Sequence, residues 1–206
     1  MATPRETDPI TTAVVHNALL TTAREMRETI QRTSFSPIIY EDRDFACGLM
    51  DADANTLAEA PGLTAFMGTL SPGIKKSFEQ CEKDQIEPGD IFCTSIPAFT
   101  GSHPADMMLW MPIFHEGRLE GFTCCMAHWL DVGGTLGNVT TDIFSEGIQI
   151  PILKYQREGV VNQDLIDIIA MNVRLADRAL GDLRAQITAI TTGERRYVEL
   201  LQRRVF

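Results

Sequence analysis

Two long strand-like segments separated by only three residues constrain the fold more than any other feature of this chain. Met107–Phe114 and Arg118–Ala127 flank His115-Glu116-Gly117. A connection that short between two extended runs makes an antiparallel hairpin. Residue 107 then begins one strand and residue 127 finishes its partner, so both ends meet at one edge of a sheet. His103 and Asp106 stand just before the first run, and His128 just after the second.

The rest of the chain is organised around this hairpin. Asp44–Met50 and Thr56–Ala60 flank the turn-rich Asp51-Ala52-Asp53-Ala54-Asn55 and read as a second hairpin. Pro88-Gly89-Asp90 leads into a buried strand, Ile91–Thr94, and Pro72–Lys83 reads as a helix with Ile74 and Phe78 inward. Asp8-Pro9 opens a long helix, Asp as N-cap and Pro at the first helical position. Ile10, Val14, Ala18 and Met26 form its apolar face, with Val15, Leu19 and Ala23 beside it, and the helix should fray near Ser36-Pro37. Near the other end, Leu165, Ile168, Ile169 and Val173 mark one helix. Leu180, Leu183, Ile187 and Ile190 mark another, which continues through Gly193 toward Tyr197 and Leu201. The fold class that follows is α+β, with a strand-rich centre of antiparallel hairpins and long helices at both ends. One domain spanning 1–206 is expected.

Composition removes several function classes. The net charge is −10, and an acidic surface repels nucleic acid and anionic lipid. No apolar run is long enough to span a membrane, and Met1–Pro9 lacks the apolar core of a secretory signal. A cytoplasmic location is the expectation. Five cysteines (Cys47, Cys81, Cys93, Cys124, Cys125) form no CxxC pair and read as reduced, mostly buried thiols. No P-loop, GxGxxG fingerprint or GxSxG elbow is present.

The hairpin gathers His103, Asp106 and His128. Two imidazoles and a carboxylate with open positions suit Mn²⁺, Fe²⁺ or Zn²⁺. Asp131 is a further ligand, or an acceptor that orients His128. The spacing alone also allows a loop histidine and a satisfied strand-end histidine. His115 at the hairpin tip and His16 on the first helix lie apart from this cluster. Arg43 and Asp44 read as a charged turn before a strand, and Gly133 and Gly134 read as loop glycines.

Several segments together resemble the hydantoinase B/oxoprolinase family, which includes acetone-carboxylase α-type subunits. Arg32-Thr33-Ser34-Phe35-Ser36-Pro37, then Arg43-Asp44-Phe45-Ala46-Cys47, is similar to that family's N-terminal signature. Gly101-Ser102-His103-Pro104-Ala105-Asp106 resembles its GTHxxD segment, and Ala127-His128-Trp129-Leu130-Asp131-Val132-Gly133-Gly134 its AHHxDVGG segment. Glu146-Gly147 with Ile150-Pro151, Asn172-Val173-Arg174 and Gly181-Asp182-Leu183-Arg184-Ala185-Gln186 follow in order. Trp129 stands where hydantoinase-like members often carry a second histidine, and Ser95–Phe99 replaces their Asp-Pro-Tyr element.

The resemblance implies a mechanism. An A-type partner uses ATP to phosphorylate a cyclic amide, and the B-type subunit opens the ring with a divalent metal (Mn, Zn or Fe). The metal ligands would be His103, Asp106 and His128. His128 and Asp131 would act in catalysis, and the Gly133–Gly137 loop would close over substrate. ATP enters only through the partner. A ketone carboxylase of the acetone or acetophenone type is the alternative, and a non-catalytic assembly subunit is the alternative of another class. Family B-type subunits run far beyond 206 residues. The chain therefore corresponds to the N-terminal portion of one, and hetero-oligomeric contacts with the A-type partner and the remainder of the subunit are expected.

Overall fold

The hairpin joined through His115-Glu116-Gly117 forms the centre of the sheet. The computed structural model describes residues 8–81, 83–135 and 140–203. Its strands are β1 (Phe45–Asp51), β2 (Thr56–Glu59), β3 (Ile91–Thr94), β4 (Asp106–His115), β5 (Arg118–His128), β6 (Leu153–Arg157) and β7 (Val160–Val161). They form one antiparallel sheet in the order β2-β1-β5-β4-β3-β6-β7. β4 and β5 pair along their whole length, from Asp106 opposite His128 to His115 opposite Arg118. Glu116 (φ 49°) and Gly117 (φ 78°) both take left-handed backbone, the geometry of a tight two-residue hairpin turn.

Both faces of this sheet are covered, which is why its central strands are apolar without interruption. On one face Phe45, Cys47, Leu49, Leu109, Cys125 and Ala127 pack against Met26, Ile30, Leu183 and Ile190. These last four come from α1 (Pro9–Thr33) and α6 (Ala176–Gln202). On the other face Met50, Met108, Trp110, Phe122 and Met126 pack against Leu70 and Ile74 of α3 (Leu70–Ser77). Successive strand residues point to opposite faces. Cys124 and Cys125 accordingly belong to different cores.

The long helices run antiparallel. Phe35, just past α1, meets Gly181 near the start of α6, and Met26 meets Gly193 in its middle. A side chain at Gly193 would collide with Met26 and Thr123, so glycine here serves close packing and the helix passes through it. At the start of α1, Asp8 accepts a hydrogen bond from the Thr11 amide (3.1 Å). The helix stops at Thr33, ahead of Ser36-Pro37 and the short α2 (Pro37–Tyr40), and a second short helix, α4 (Pro97–Thr100), precedes β4.

Three expectations need correction. Ile10 and Val14 do not pack, at 74% and 52% exposed. Ala18 lies level with Leu200 and Arg203, at the described end of α6. α3 ends at Ser77 and only a 3₁₀ turn, Lys83–Gln85, follows. Ile168 in α5 (Gln163–Asn172) faces outward, because Leu165 and Ile169, four apart, already define the buried stripe. The β6–β7 hairpin was not anticipated. Its strands are short and mostly exposed, but its turn, Glu158 (φ 47°) and Gly159 (φ 85°), repeats the Glu116-Gly117 solution.

Candidate metal centre

The β4–β5 register builds the centre. Asp106 is the first residue of β4 and His128 the last of β5, and they stand directly opposite one another. Side chains opposite in an antiparallel pair share a face. His128 Nδ1 and Asp106 Oδ1 are 2.9 Å apart. His103 comes from the loop after α4, where Gly101 in left-handed backbone (φ 82°) ends that helix. The Asp106 amide donates to the His103 carbonyl (3.0 Å), which folds His103 back over the strand end. His103 Nε2 lies 3.4 Å from Asp106 Oδ2, and the two imidazole centroids are 4.8 Å apart. Ser102 donates its hydroxyl to Asp106 Oδ2.

A fourth group lies beside these three. Beyond the last β1–β5 pair, Phe45 opposite Ala127, the His128 amide donates to the Asp44 carbonyl (3.0 Å). Asp44, His128 and Asp106 thus form a row across the ends of β1, β5 and β4. Asp44 Oδ1 is buried and has no hydrogen-bond partner among the described residues. Burial raises the Asp44 pKa, and nearby Asp106 adds to this against the opposing pull of His128 and His103. For His128, burial depresses the pKa, but the hydrogen bond and charge of Asp106, with the charge of Asp44, outweigh it and hold the imidazole above its usual range. From sequence Asp44 reads only as part of a charged turn. The signal that locates it is the three-strand register, which needs β1 placed beside β5.

Asp131 stands apart from the cluster. Oδ1 accepts from the Gly133 amide (3.0 Å) and the Arg174 guanidinium (3.0 Å), and Oδ2 from the amides of Arg174 and Leu175 (3.1 Å for Leu175). None of its hydrogen bonds among the described residues goes to His128. Burial raises the Asp131 pKa, but these donors reverse the shift and hold the carboxyl below its usual range. The carboxylate ties the loop after β5 to the start of α6. Gly133 and Gly134 allow close backbone approach, to Asn172 and Glu146 respectively. Of the Gly133–Gly137 segment, Leu136 and Gly137 lie outside the described residues.

Trp129 points away from the centre. Its indole donates to Gln186 Oε1 (2.9 Å), and Gln186 in turn donates to the Met107 carbonyl (2.9 Å). The side chain that replaces the second histidine therefore belongs to the helix-covered core. His115 sits at the far end of β4 from Asp106, and His16 is exposed on α1. His103 and His128 open onto a cleft of about 230 Å³, also lined by Asp131, Thr140 and Glu146.

A family model for hydantoinase B/oxoprolinase matches residues 8–204. The chain belongs to the hydantoinase B/oxoprolinase family. It is 34% identical over 200 residues to the caprolactamase beta subunit of Pseudomonas jessenii, a match covering 95% of this chain and 34% of that protein. It is 33% identical to a putative D-/L-hydantoinase B-type subunit of Pseudomonas sp. (strain NS671), over 97% of this chain and 35% of the other. The crystal structure of the ATP-dependent caprolactamase from Pseudomonas jessenii superposes with a TM-score of 0.87 at 32% identity, covering 97% of this chain and 35% of that one. Nucleotide-free acetone carboxylase shares the fold, with a TM-score of 0.87 at 23% identity over 97% of this chain and 27% of that one. The chain spans about a third of the length of these two Pseudomonas relatives. No helix among its described residues is long and apolar enough to cross a membrane.

Proposed function

We propose that this chain is the metal-bearing N-terminal part of a B-type subunit in an ATP-dependent enzyme that opens a cyclic amide. One observation carries the reading. Ligand atoms of His103, Asp106 and His128 lie within 4.8 Å of one another at one strand edge. The donor set fits a divalent ion such as Mn, Zn or Fe, having two imidazoles and a carboxylate. The buried, unpartnered Asp44 Oδ1 is a further acceptor that a cation would satisfy. Bound there, the ion would supply Lewis acidity toward an oxygen that gathers negative charge.

The chain's own residues prepare that site. Asp106 fixes the His128 ring through Nδ1, and Ser102 holds the second Asp106 oxygen. His128 lines the cleft, so a ligand held by its ring would face a bound substrate. Asp131 acts at one remove, by fixing the wall of the same cleft to α6. ATP would be used by an A-type partner that phosphorylates the amide oxygen. The remainder of the B-type subunit would cover exposed apolar side chains such as Phe144 (82% exposed) and Met171 (87%), giving a hetero-oligomer. A carboxylating role draws on fold likeness alone. A pure assembly role leaves two histidines and two carboxylates at one strand edge without a use.

The test combines the chain with an A-type partner, ATP and hydantoin, with and without bicarbonate. Ring opening coupled to phosphate release, independent of bicarbonate and lost in Asp106→Ala, is expected. ATP turnover that requires bicarbonate would replace this reading with carboxylation.

A further inference from the structure

A second cleft lies where the C-terminal half of α1 meets the turn before β1, and its chemistry is cationic. Arg27, Arg32 and Arg43 line it together with Ser34, Tyr40 and a single acid, Glu28. Three guanidiniums against one carboxylate run counter to a chain whose net charge is −10. Glu28 is shared, 3.1 Å from Arg27 Nη1 and 3.5 Å from Arg32 Nη2. Arg43 has no ion pair or hydrogen bond from its side chain among the described residues. Where α1 meets α6, by contrast, Arg195 and Arg196 are matched by acids. Arg196 pairs with both Glu25 (2.7 Å) and Glu199 (3.0 Å), and Arg195 with Glu199 (3.5 Å).

Two further observations point to an absent acceptor. Arg27 Nε and Ser34 Oγ are buried and lack hydrogen-bond partners among the described residues. A buried donor without an acceptor is destabilising unless something binds there. Arg43 also holds left-handed backbone (φ 59°), unusual for a long side chain. The other non-glycine residues in that region, Ala54, Glu116 and Glu158, all sit in hairpin turns.

We propose that this cleft is an oxyanion site, taking a phosphate, phosphoryl or carboxylate group. Guanidinium forks present paired N–H donors that match two oxygens of such a group, and Ser34 adds a hydroxyl. The site is separate from the metal reading and does not depend on it. Arg43 and Asp44 are consecutive, so an anion held here and a ligand at the strand edge would sit on either side of one turn.

The test is titration of the ¹⁵N-labelled full chain with inorganic phosphate, following arginine Nε–H signals at low salt and at about 0.15 M NaCl. Saturable shifts of the Arg27 and Arg43 signals that persist at the higher salt are expected. Arg43→Gly, which suits the left-handed backbone, should weaken binding at least about tenfold without lowering the unfolding midpoint. Ser34→Ala should weaken it a few-fold, and His103→Ala should leave it unchanged. A parallel titration with acetate identifies the source: tighter phosphate binding assigns a phosphoryl group, and equal or tighter acetate binding assigns a carboxylate. No saturable shift with either anion, shifts that vanish at the higher salt, or undiminished binding in Arg43→Gly would overturn the proposal.

Discussion

Two carboxylates at the same edge of the sheet, Asp106 and Asp131, are almost equally buried, at 1% and 4% exposed, and are held in opposite ways. Asp131 is enclosed by three backbone amides and a guanidinium, donors that cannot leave without undoing the junction between the loop and α6. Among the described residues Asp106 is held by side chains alone, two imidazoles and a hydroxyl. Side-chain partners can turn toward another ligand while the backbone stays in place. The lesson is that burial does not distinguish a structural carboxylate from a functional one, whereas the kind of donor around it does.

The sharpest way to break this comparison is to remove each carboxylate. Asp131→Ala should lower stability by about 3 kcal/mol, since it strands buried amides and one charge. Asp106→Ala should lower the stability of the metal-free chain by less than about 1 kcal/mol, because its partners are side chains that can turn to solvent. Urea denaturation of both variants measures this, and equal losses would dissolve the distinction. Next in size is Asp44. Asn at that position should weaken divalent metal binding about 10- to 100-fold, read by competition with a chromogenic chelator, with little change in unfolding. Unchanged metal affinity would return Asp44 to the role of a charged turn.

Trp129→Phe should cost about 1–2 kcal/mol, because Gln186 Oε1 loses its donor inside the core. Metal content should stay as in wild type. Loss of metal in this variant would place the residue after His128 in the site. The smallest effect is one of pH. The Asp131 pKa is lower when folded than its ordinary 3.8, so its contribution to stability is full well above that value. That contribution disappears as pH falls through the lower folded value. The gap between wild type and Asp131→Asn in urea midpoints should therefore narrow on acidification, and a gap that widens would contradict the assignment.

The sequence carries much of this architecture in local signals. Asp8-Pro9, the short connection His115-Glu116-Gly117 and the buried run Ile91–Thr94 are legible because caps, tight turns and uninterrupted apolar strands have local causes. The same hairpin pattern brings His103, Asp106 and His128 together on spacing alone. Asp44 is not legible this way, because its place depends on β1 pairing with β5 across 78 residues, as Cys47 opposite Cys125 shows. Asp131 sits within a recognisable motif, yet its partners Arg174 and Leu175 are more than 40 residues away. The outward face of Ile10 and Val14 depends on which elements lie beside the start of α1, which its own apolar stripe does not record.

On this reading the row Asp44–His128–Asp106, with His103, holds a divalent ion. Elemental analysis of the purified full chain by mass spectrometry, wild type beside His103→Ala, tests it most directly. About one Mn, Zn or Fe per chain in the wild type, absent from a folded His103→Ala variant, is the expected result. No stoichiometric metal in the wild type, even after incubation with each ion and with an A-type partner present, would contradict the claim and favour an assembly role.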